Sequence, residues 1–254
     1  MKSTMDYIED VMNQTSLEEL WDMHCVKMSS FGFDKLIYGY TNYRNGMSLG
    51  DVEDFFILSN HERCYLDKYL GDRLYFDGPM MRWTLENSGA KSWNLAQKAF
   101  EQGLLTDKQR RVFEFNQANG LSAGYTVSFP TVSSRTKGAI SLAAHRDFTQ
   151  EQIDVMWEKR GREISLMNNV AHLKIQSLPY SNPERELTKR QREVLEWVGD
   201  GKTIQDIALL IERTPATVEK HLRLARDAMN VETTAQALLK ASFMHQIYLL
   251  EGPS

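Results

Sequence analysis

Residues 187–222 read LTKRQREVLEWVGDGKTIQDIALLIERTPATVEKHL, and three short helices are predicted in close succession there. Thr188 is placed to cap the first helix, and an Asp-Gly pair ending at Gly201 stops it. Thr203 caps the second helix, and Pro215 stands at the first position of the third, where its missing N–H costs nothing. A short helix, a tight turn and a further helix are typical of a helix-turn-helix unit.

The third predicted helix, PATVEKHLRLARDAMNV, is amphipathic. Its buried side consists of Val218, Leu222, Ala225 and Met229. Its exposed side carries groups able to contact phosphates and base edges in a major groove, namely Thr217, Lys220, Arg223 and Arg226. A fourth helix within TTAQALLKASFMH completes the bundle. The sequence therefore predicts an all-α, four-helix helix-turn-helix domain over residues 187–254.

Net charge does not by itself favour DNA binding by this segment. The whole chain has a formal net charge of -4 at pH 7, and residues 181–254 contain ten Lys and Arg against eleven Asp and Glu. A helical interaction bundle that does not bind DNA is therefore an alternative. If the segment binds DNA, it does so through a local basic face.

Residue identities favour the DNA-binding alternative. The relevant positions are Leu187, Thr188, Arg190, Glu193, Val194, Leu195, Gly201, Lys202, Thr203, Ile207, Ala208, Thr217, Val218 and His221. In this register the segment resembles the C-terminal domain of LuxR-type regulators. The resemblance implies that the third helix is the recognition helix and that Lys220 and Arg223 meet DNA. Glu219 departs from the basic residue often found beside them; it accepts from a cytosine amino group, points to solvent or pairs with Arg223.

Upstream of this segment, helical and strand patterns are mixed. Helices are predicted from Ser16 onward and at residues 60–72, 106–120 and 149–176, and strands within residues 31–40, 54–58, 122–130 and 137–145. This set predicts an α+β N-terminal domain over residues 1–176, with helices on both faces of an antiparallel sheet in an α/β/α sandwich. Residues 177–186 contain two prolines and two serines and are predicted to be a linker.

The helix predicted at residues 149–176 has a long apolar stripe that is interrupted at Gly161. The stripe either packs on the sheet of its own domain or forms the seam of a dimer. Both interpretations can hold for different turns of the helix.

A second set of residues lies in the N-terminal domain. It comprises Gly32–Gly39 (GFDKLIYG), Tyr65, Tyr69, Asp77, Pro79, Trp93, Gly124 and Ser141. This set resembles the autoinducer-binding domain of quorum-sensing receptors for N-acyl-homoserine lactones. Such a ligand offers an amide N–H, carbonyl groups and an apolar chain, so a pocket needs an acceptor, several donors and aromatic walls.

The resemblance also implies a role for each ligand-binding residue. Asp77 would accept from the ligand amide, while Tyr69 and Ser141 would donate to the acyl carbonyl. Trp93 would form a wall against the lactone ring. Tyr65 would replace a tryptophan that donates to the lactone carbonyl. Ordinary core packing is the alternative interpretation of the two tyrosines.

The acidic position is a departure from the family pattern. If Pro79 keeps the family register, that position falls on Gly78, and Asp77 comes one residue early. A small backbone shift would restore the carboxylate to the pocket. Without such a shift the amide has no acceptor, and the ligand is a different kind of signal.

Other functional classes find little support. Cys25 and Cys64 are too few for a disulfide framework, which fits a reducing compartment. His61 and Cys64 have no second ligand pair, so no metal site is predicted. The sequence shows no signal peptide, no membrane span, and no catalytic motif.

The two resemblances together imply a cytoplasmic transcription regulator of quorum sensing that is not an enzyme. It is expected to bind an N-acyl-homoserine lactone, to need no cofactor, and to bind a DNA operator as a homodimer, with RNA polymerase as a further partner. The alternatives are a receptor for a different small signal and a ligand-independent, dimeric DNA-binding regulator.

Overall fold

The computed structural model describes residues 3–50, 54–179 and 186–249. The chain divides into two compact units, Met1–Gln176 and Ser177–Ser254. Most of the predicted linker, residues 180–185, lies outside the described residues.

The N-terminal unit is a mixed α+β fold. Its elements are α1 (Thr4–Asn13), α2 (Leu17–Ser29), β1 (Phe33–Thr41), β2 (Phe56–Ser59), α3 (Arg63–Gly71), a 3-10 helix (Leu74–Asp77), α4 (Met81–Glu86), β3 (Gly89–Ser92), α5 (Asn94–Glu101), α6 (Asp107–Ala118), β4 (Gly124–Ser128), β5 (Lys137–Ala144) and α7 (Gln150–Ser177). The predicted helices and strands are all present. Five elements were not predicted: α1, the 3-10 helix, α4, β3 and α5.

The five strands form one antiparallel sheet in the order β2-β1-β5-β4-β3, which confirms the predicted sheet. Strand β5 lies at its centre, and successive side chains along it point to opposite faces. Ile140 and Leu142 are fully or almost fully buried on one face. Ala139 and Ser141 point to the other face, opposite Gly39 and Ile37 of β1.

Helix α7 packs against the first of these faces. The Tyr38 hydroxyl hydrogen-bonds His172 Nδ1 at 2.8 Å, and the Tyr125 ring stacks on Trp157 with a centroid separation of 3.8 Å. Ile153, Ile164 and Met167 of the apolar stripe are buried, as the core-packing interpretation predicts, while Leu166 and Leu173 are exposed.

Gly161 does not interrupt α7, which is a continuous helix of 28 residues. A Cβ atom at this position would lie 2.4 Å from the Trp157 indole. The residue is therefore explained by the close approach of a side chain one turn earlier, and not by a break in the helix.

A buried polar network joins α1, α2 and α7. The Tyr7 hydroxyl hydrogen-bonds His24 Nδ1 at 2.6 Å, and His24 Nε2 lies 3.1 Å from Asn168 Oδ1. Both ring nitrogens of His24 have partners, so the imidazole is satisfied without carrying a charge. Burial lowers the pKa of His24 to about 4.

The C-terminal unit consists of α8 (Lys189–Gly199), α9 (Ile204–Leu210), α10 (Pro215–Met229) and α11 (Thr234–Phe243). Capping boxes begin α8 at Thr188 and α9 at Thr203, as predicted, and Pro215 opens α10 behind an N-cap at Thr214. One core joins the four helices, with Val194, Leu195, Ile207, Ala208, Val218, Leu222, Ala225, Met229, Ala237 and Ala241 buried in it. The predicted four-helix arrangement is confirmed.

The N-terminal unit is expected to lose stability as the pH falls from 6.5 towards 4. Burial lowers the pKa of His24, His61 and His172 from 6.5 to about 4, so each stays neutral in the folded protein. The unfolded chain takes up these protons below pH 6.5. The free energy of unfolding therefore decreases by up to about 1.4 kcal/mol per pH unit for each histidine in this window, and the contribution is complete above it.

Urea unfolding followed by tryptophan fluorescence measures this effect, because four of the five tryptophans belong to the N-terminal unit. The variant His24→Gln, His172→Gln should show a shallower pH dependence than the parent chain. An identical dependence in the two proteins would contradict the assignment.

Candidate ligand cavity and candidate nucleic-acid interface

The second face of the sheet borders a cavity in the N-terminal unit. Its volume is about 190 Å³, counted as the space open to the centre of a water-sized sphere. One water needs only about 10–15 Å³ by this measure, so the cavity has room for a much larger molecule. Its walls are mainly apolar and include Ile37, Ile57, Leu70, Leu85, Phe113 and Leu121.

The second face of the sheet is the floor of the cavity, and small residues on it leave room above. Gly39 of β1 is opposite Ala139 of β5, and both border the cavity. A Cβ atom added at Gly39 would meet nothing within 4 Å. The middle of the floor is thus open, while longer side chains line the cavity around it.

Three of the predicted ligand-binding residues, Tyr69, Trp93 and Ser141, line the cavity together. Trp93 Nε1 donates to Thr126 Oγ1 at 2.9 Å, so the indole N–H already has an acceptor. Within the described part of the chain, the hydroxyls of Tyr69 and Ser141 have no protein hydrogen-bond partner. Burial raises the pKa of Tyr69 to about 12, so its phenol stays protonated at neutral pH and can donate.

Tyr65 does not border the cavity. Its ring stacks between His61 and Tyr69, at centroid separations of 4.6 and 5.2 Å, and its hydroxyl donates to Asn116 Oδ1 at 3.0 Å. The Tyr65 ring therefore packs against the Tyr69 ring from outside the cavity, and the Tyr65 hydroxyl is already hydrogen-bonded within the protein.

Asp77 is also absent from the cavity wall, because the 3-10 helix that it ends turns its side chain outward. The side chain is 42% exposed, and its nearest cation is Lys108, at 4.0 Å. Gly78 and Pro79 border the cavity instead. A Cβ atom at Gly78 would lie 4.0 Å from the Tyr69 hydroxyl. No Asp or Glu lines the cavity within the described residues, so a ligand amide finds no carboxylate there.

Among the described lining residues, the charged side chain is that of Lys137, which the sequence analysis did not predict. The residue is 6% exposed, and its Nζ donates to the Asn87 carbonyl at 2.9 Å. A sequence signal existed: Lys137 precedes Ser141 by four residues in one strand, and even spacing in a strand means a shared face. Selecting Ser141 for the pocket therefore implied Lys137 as well.

The candidate nucleic-acid interface is the exposed face of α10. Lys220 is exposed, and no hydrogen bond or ion pair engages it in the part of the chain that the structure describes. Arg223 is also exposed and pairs with Asp227 at 2.9 Å. The Thr217 hydroxyl lies 2.9 Å from that of Thr214, next to the helix cap.

Arg226 differs from these residues because its guanidinium is held by the unit itself. It donates to Thr234 Oγ1 at 2.9 Å and to Glu219 Oε1 at 3.2 Å, and its side chain is 20% exposed. Glu219 therefore pairs with Arg226, two helical turns on, and the predicted alternative of a pair with Arg223 is wrong. Lys220 and Arg223 remain the more accessible cations on this face.

Two other sequence interpretations concern metals and membranes. Over residues 3–50, 54–179 and 186–249, no cluster of three or more His, Cys, Asp or Glu side chains has the arrangement of a metal site. In the same ranges no helix combines the length and apolar character that crossing a bilayer requires.

Comparison with known proteins agrees with this architecture. The family profile described as autoinducer binding domain matches residues 16–175, and that of sigma-70 region 4 matches residues 185–229. A ligand-binding domain followed by a DNA-binding helical domain defines a class of regulators, not enzymes. The chain belongs to the LuxR family of autoinducer-binding transcriptional regulators.

Individual relatives are distant. The chain is 23% identical to the transcriptional activator AnoR of Acinetobacter nosocomialis over 230 residues, 88% of this chain and 90% of AnoR. It is 26% identical to the activator LuxR of Aliivibrio fischeri over 204 residues, 78% of this chain and 76% of LuxR. The fold resembles that of Escherichia coli SdiA in complex with octanoyl-rac-glycerol, with a TM-score of 0.52 at 15% identity over 96% of this chain and 97% of SdiA.

Arg226→Ala is expected to destabilise the C-terminal unit by about 1 kcal/mol, because it removes the hydrogen bond to Thr234 that joins α10 to the start of α11 and the pair with Glu219 within α10. Arg223→Ala removes only an exposed pair and should change stability by less than about 0.5 kcal/mol. Hydrogen-exchange protection of the α10 and α11 amides in the full chain measures both. Equal protection in the two variants would contradict the anchoring role of Arg226.

Proposed function

We propose that this LuxR-family protein is a quorum-sensing regulator whose N-terminal cavity binds a small apolar signal and whose homodimer binds a DNA operator. The observation that carries the proposal is the cavity, which has mainly apolar walls and unpartnered hydroxyls at Tyr69 and Ser141. A ligand that binds only the folded state stabilises it by RT ln(1 + [L]/Kd), and this linkage supplies the energy of control.

DNA binding is proposed through α10, with Lys220 and Arg223 as the principal contacts, Thr217 beside them and Arg226 at the margin. Two copies related by a two-fold axis would place their recognition helices on the half-sites of a palindrome. RNA polymerase is proposed as a further partner because AnoR and LuxR are activators. A regulator of chromosomal operators acts in the bacterial cytoplasm.

N-acyl-homoserine lactones are the first candidate signals, because the family profile is that of an autoinducer-binding domain. Tyr69 and Ser141 can donate to an acyl carbonyl, and Trp93 can form a wall against the lactone ring. Over the residues that the structure describes, the cavity wall supplies no carboxylate for the amide, since Asp77 points outward and the wall carries Gly78. A signal without an amide N–H is therefore the second candidate.

Mass spectrometry of ligand released from protein made in its native host tests the proposal directly. A bound apolar signal that also raises the melting temperature of the purified protein supports ligand control. Protein that carries no extractable molecule, melts unchanged with acyl-homoserine lactones and still binds its operator would instead be a ligand-independent regulator.

Gly78→Asp is expected to strengthen binding of an N-acyl-homoserine lactone by about tenfold or more, because a carboxylate beside the Tyr69 hydroxyl can accept from the amide. Gly78 has a φ of −60°, which any residue can adopt, but an added Cβ atom would lie 3.2 Å from the Tyr75 carbonyl oxygen, so both Gly78 variants carry the cost of this close contact. Isothermal titration calorimetry measures the affinity.

Two variants control this experiment. Gly78→Ala adds the Cβ without the charge and should not strengthen binding. Asp77→Asn removes the outward carboxylate and should leave affinity unchanged. A loss of binding in Asp77→Asn would show that Asp77, and not position 78, faces the ligand.

Lys220→Ala is expected to weaken operator binding by about 1–3 kcal/mol if the lysine contacts a base. If it contacts only a phosphate, affinity for scrambled DNA falls by the same factor and the salt dependence becomes shallower. The exposed side chain has no role in the helical core, so circular dichroism should be unchanged. Wild-type affinity in this variant would exclude Lys220 from the interface.

A further inference from the structure

Lys137 is a buried cation on the cavity wall, and it has no counter-ion among residues 3–50, 54–179 and 186–249. Only 6% of the residue is exposed, and its one hydrogen bond among the described residues goes to the neutral carbonyl of Asn87, at 2.9 Å. No Asp or Glu oxygen of the described residues lies within 4.0 Å of Lys137 Nζ. Buried charges in proteins are normally paired, because removing a charge from water costs several kcal/mol.

The described polar groups next to Lys137 are neutral and already hydrogen-bonded elsewhere. Thr41, opposite it on β1, donates its hydroxyl to the Leu49 carbonyl, and the Thr84 hydroxyl donates to the Met80 carbonyl. Among the described residues, the charge that acts on it is that of another cation, Arg44. Burial, followed by Arg44, lowers the pKa of Lys137. A ligand that brings an anion would instead stabilise the charged form of Lys137.

Lys137 also lies far along the cavity from the Ser141 hydroxyl, and Tyr69 packs against the cluster that contains Ala143, at the Ser141 end of β5. Lys137 and Ser141 are on the same face of β5, four residues apart, and a strand rises about 3.4 Å per residue, so their backbones are roughly 14 Å apart. Between them the floor consists of Ala139 and Gly39, which leave open apolar space. The cavity therefore has donors at both ends, and no described side chain between them is charged.

We propose that the signal is an elongated apolar molecule with a carboxylate, which binds at Lys137, and that its other end presents an acceptor to Tyr69 and Ser141. This rests on the proposed function, in which the cavity binds the signal. Lys137 is then the residue that selects for an acid, and the donor groups at the opposite end select for a carbonyl or hydroxyl oxygen.

Dodecanoate and its methyl ester form a matched pair of probes, since they share the chain and differ in charge. Calorimetry on the full-length protein, below the micelle concentration, should give binding of dodecanoate about ten- to a hundredfold tighter than that of the ester. Lys137→Met should remove this preference by weakening dodecanoate alone, and Lys137→Arg should keep it. The ester affinity should be the same in all three proteins.

The Lys137→Met variant is expected to fold, because the Asn87 carbonyl also accepts from Ser128 Oγ at 2.7 Å. Its ligand-free melting temperature should equal or exceed that of the parent, since an unpaired buried charge is removed. Gly39→Leu fills the open floor and should abolish binding of both probes, which locates them in the cavity.

Several outcomes overturn the inference. The inference is wrong if the parent chain binds the acid and the ester with equal affinity. It is also wrong if Lys137→Met weakens binding of both probes equally, because the lysine would then be a structural anchor of α4. If neither probe binds but an N-acyl-homoserine lactone raises the melting temperature, the inference fails and the proposed function stands. If no small apolar molecule binds at all, both fail.

Discussion

The alternation of side chains along β5 governs the N-terminal unit. As the central strand, β5 has neighbours on both edges, so its backbone groups are satisfied and only its two faces remain to be covered. One face carries Ile140 and Leu142 and packs closely against α7. The other carries Lys137, Ala139 and Ser141 and borders the cavity. A shift of one residue in register would exchange the two faces and remove both the core and the cavity.

Sequence reasoning predicted those elements whose signals are local. The C-terminal helices have side-chain caps and clear apolar faces, so their bounds and their buried sides could be predicted from the sequence. The short elements α4, β3 and α5 were missed because they have only four to eight residues each. Strand β3 is an example: GAKS has no strand-like composition, and its pairing with β4 fixes its conformation. Tertiary contacts of this kind leave little trace in a single sequence.

The residues of the candidate site also divide into those that the sequence predicted and those that depend on tertiary contacts. Three residues line the cavity as the family resemblance implies, because regular secondary structure fixes which way a side chain points. They are Tyr69, Trp93 and Ser141. Asp77 departs because one residue of register in a 3-10 helix, with three residues per turn, rotates a side chain by about a third of a circle. Lys137 was overlooked because a lysine at the start of a strand suggests an exposed end. Its burial depends on α4, which the sequence did not reveal.

Accessible charge, more than total charge, determines what the C-terminal unit can bind. The Arg226 guanidinium is bound by Thr234 and Glu219, and Arg223 forms an ion pair with Asp227. Lys220 is thus the cation on α10 that has no competing partner among the described residues. Affinity for DNA backbone grows with the number of phosphates neutralised, and one copy of this helix offers few contacts. Two linked copies gain from effective concentration without any new contact. Control of dimerisation would therefore be sufficient to control operator binding, with no change in the recognition helix itself.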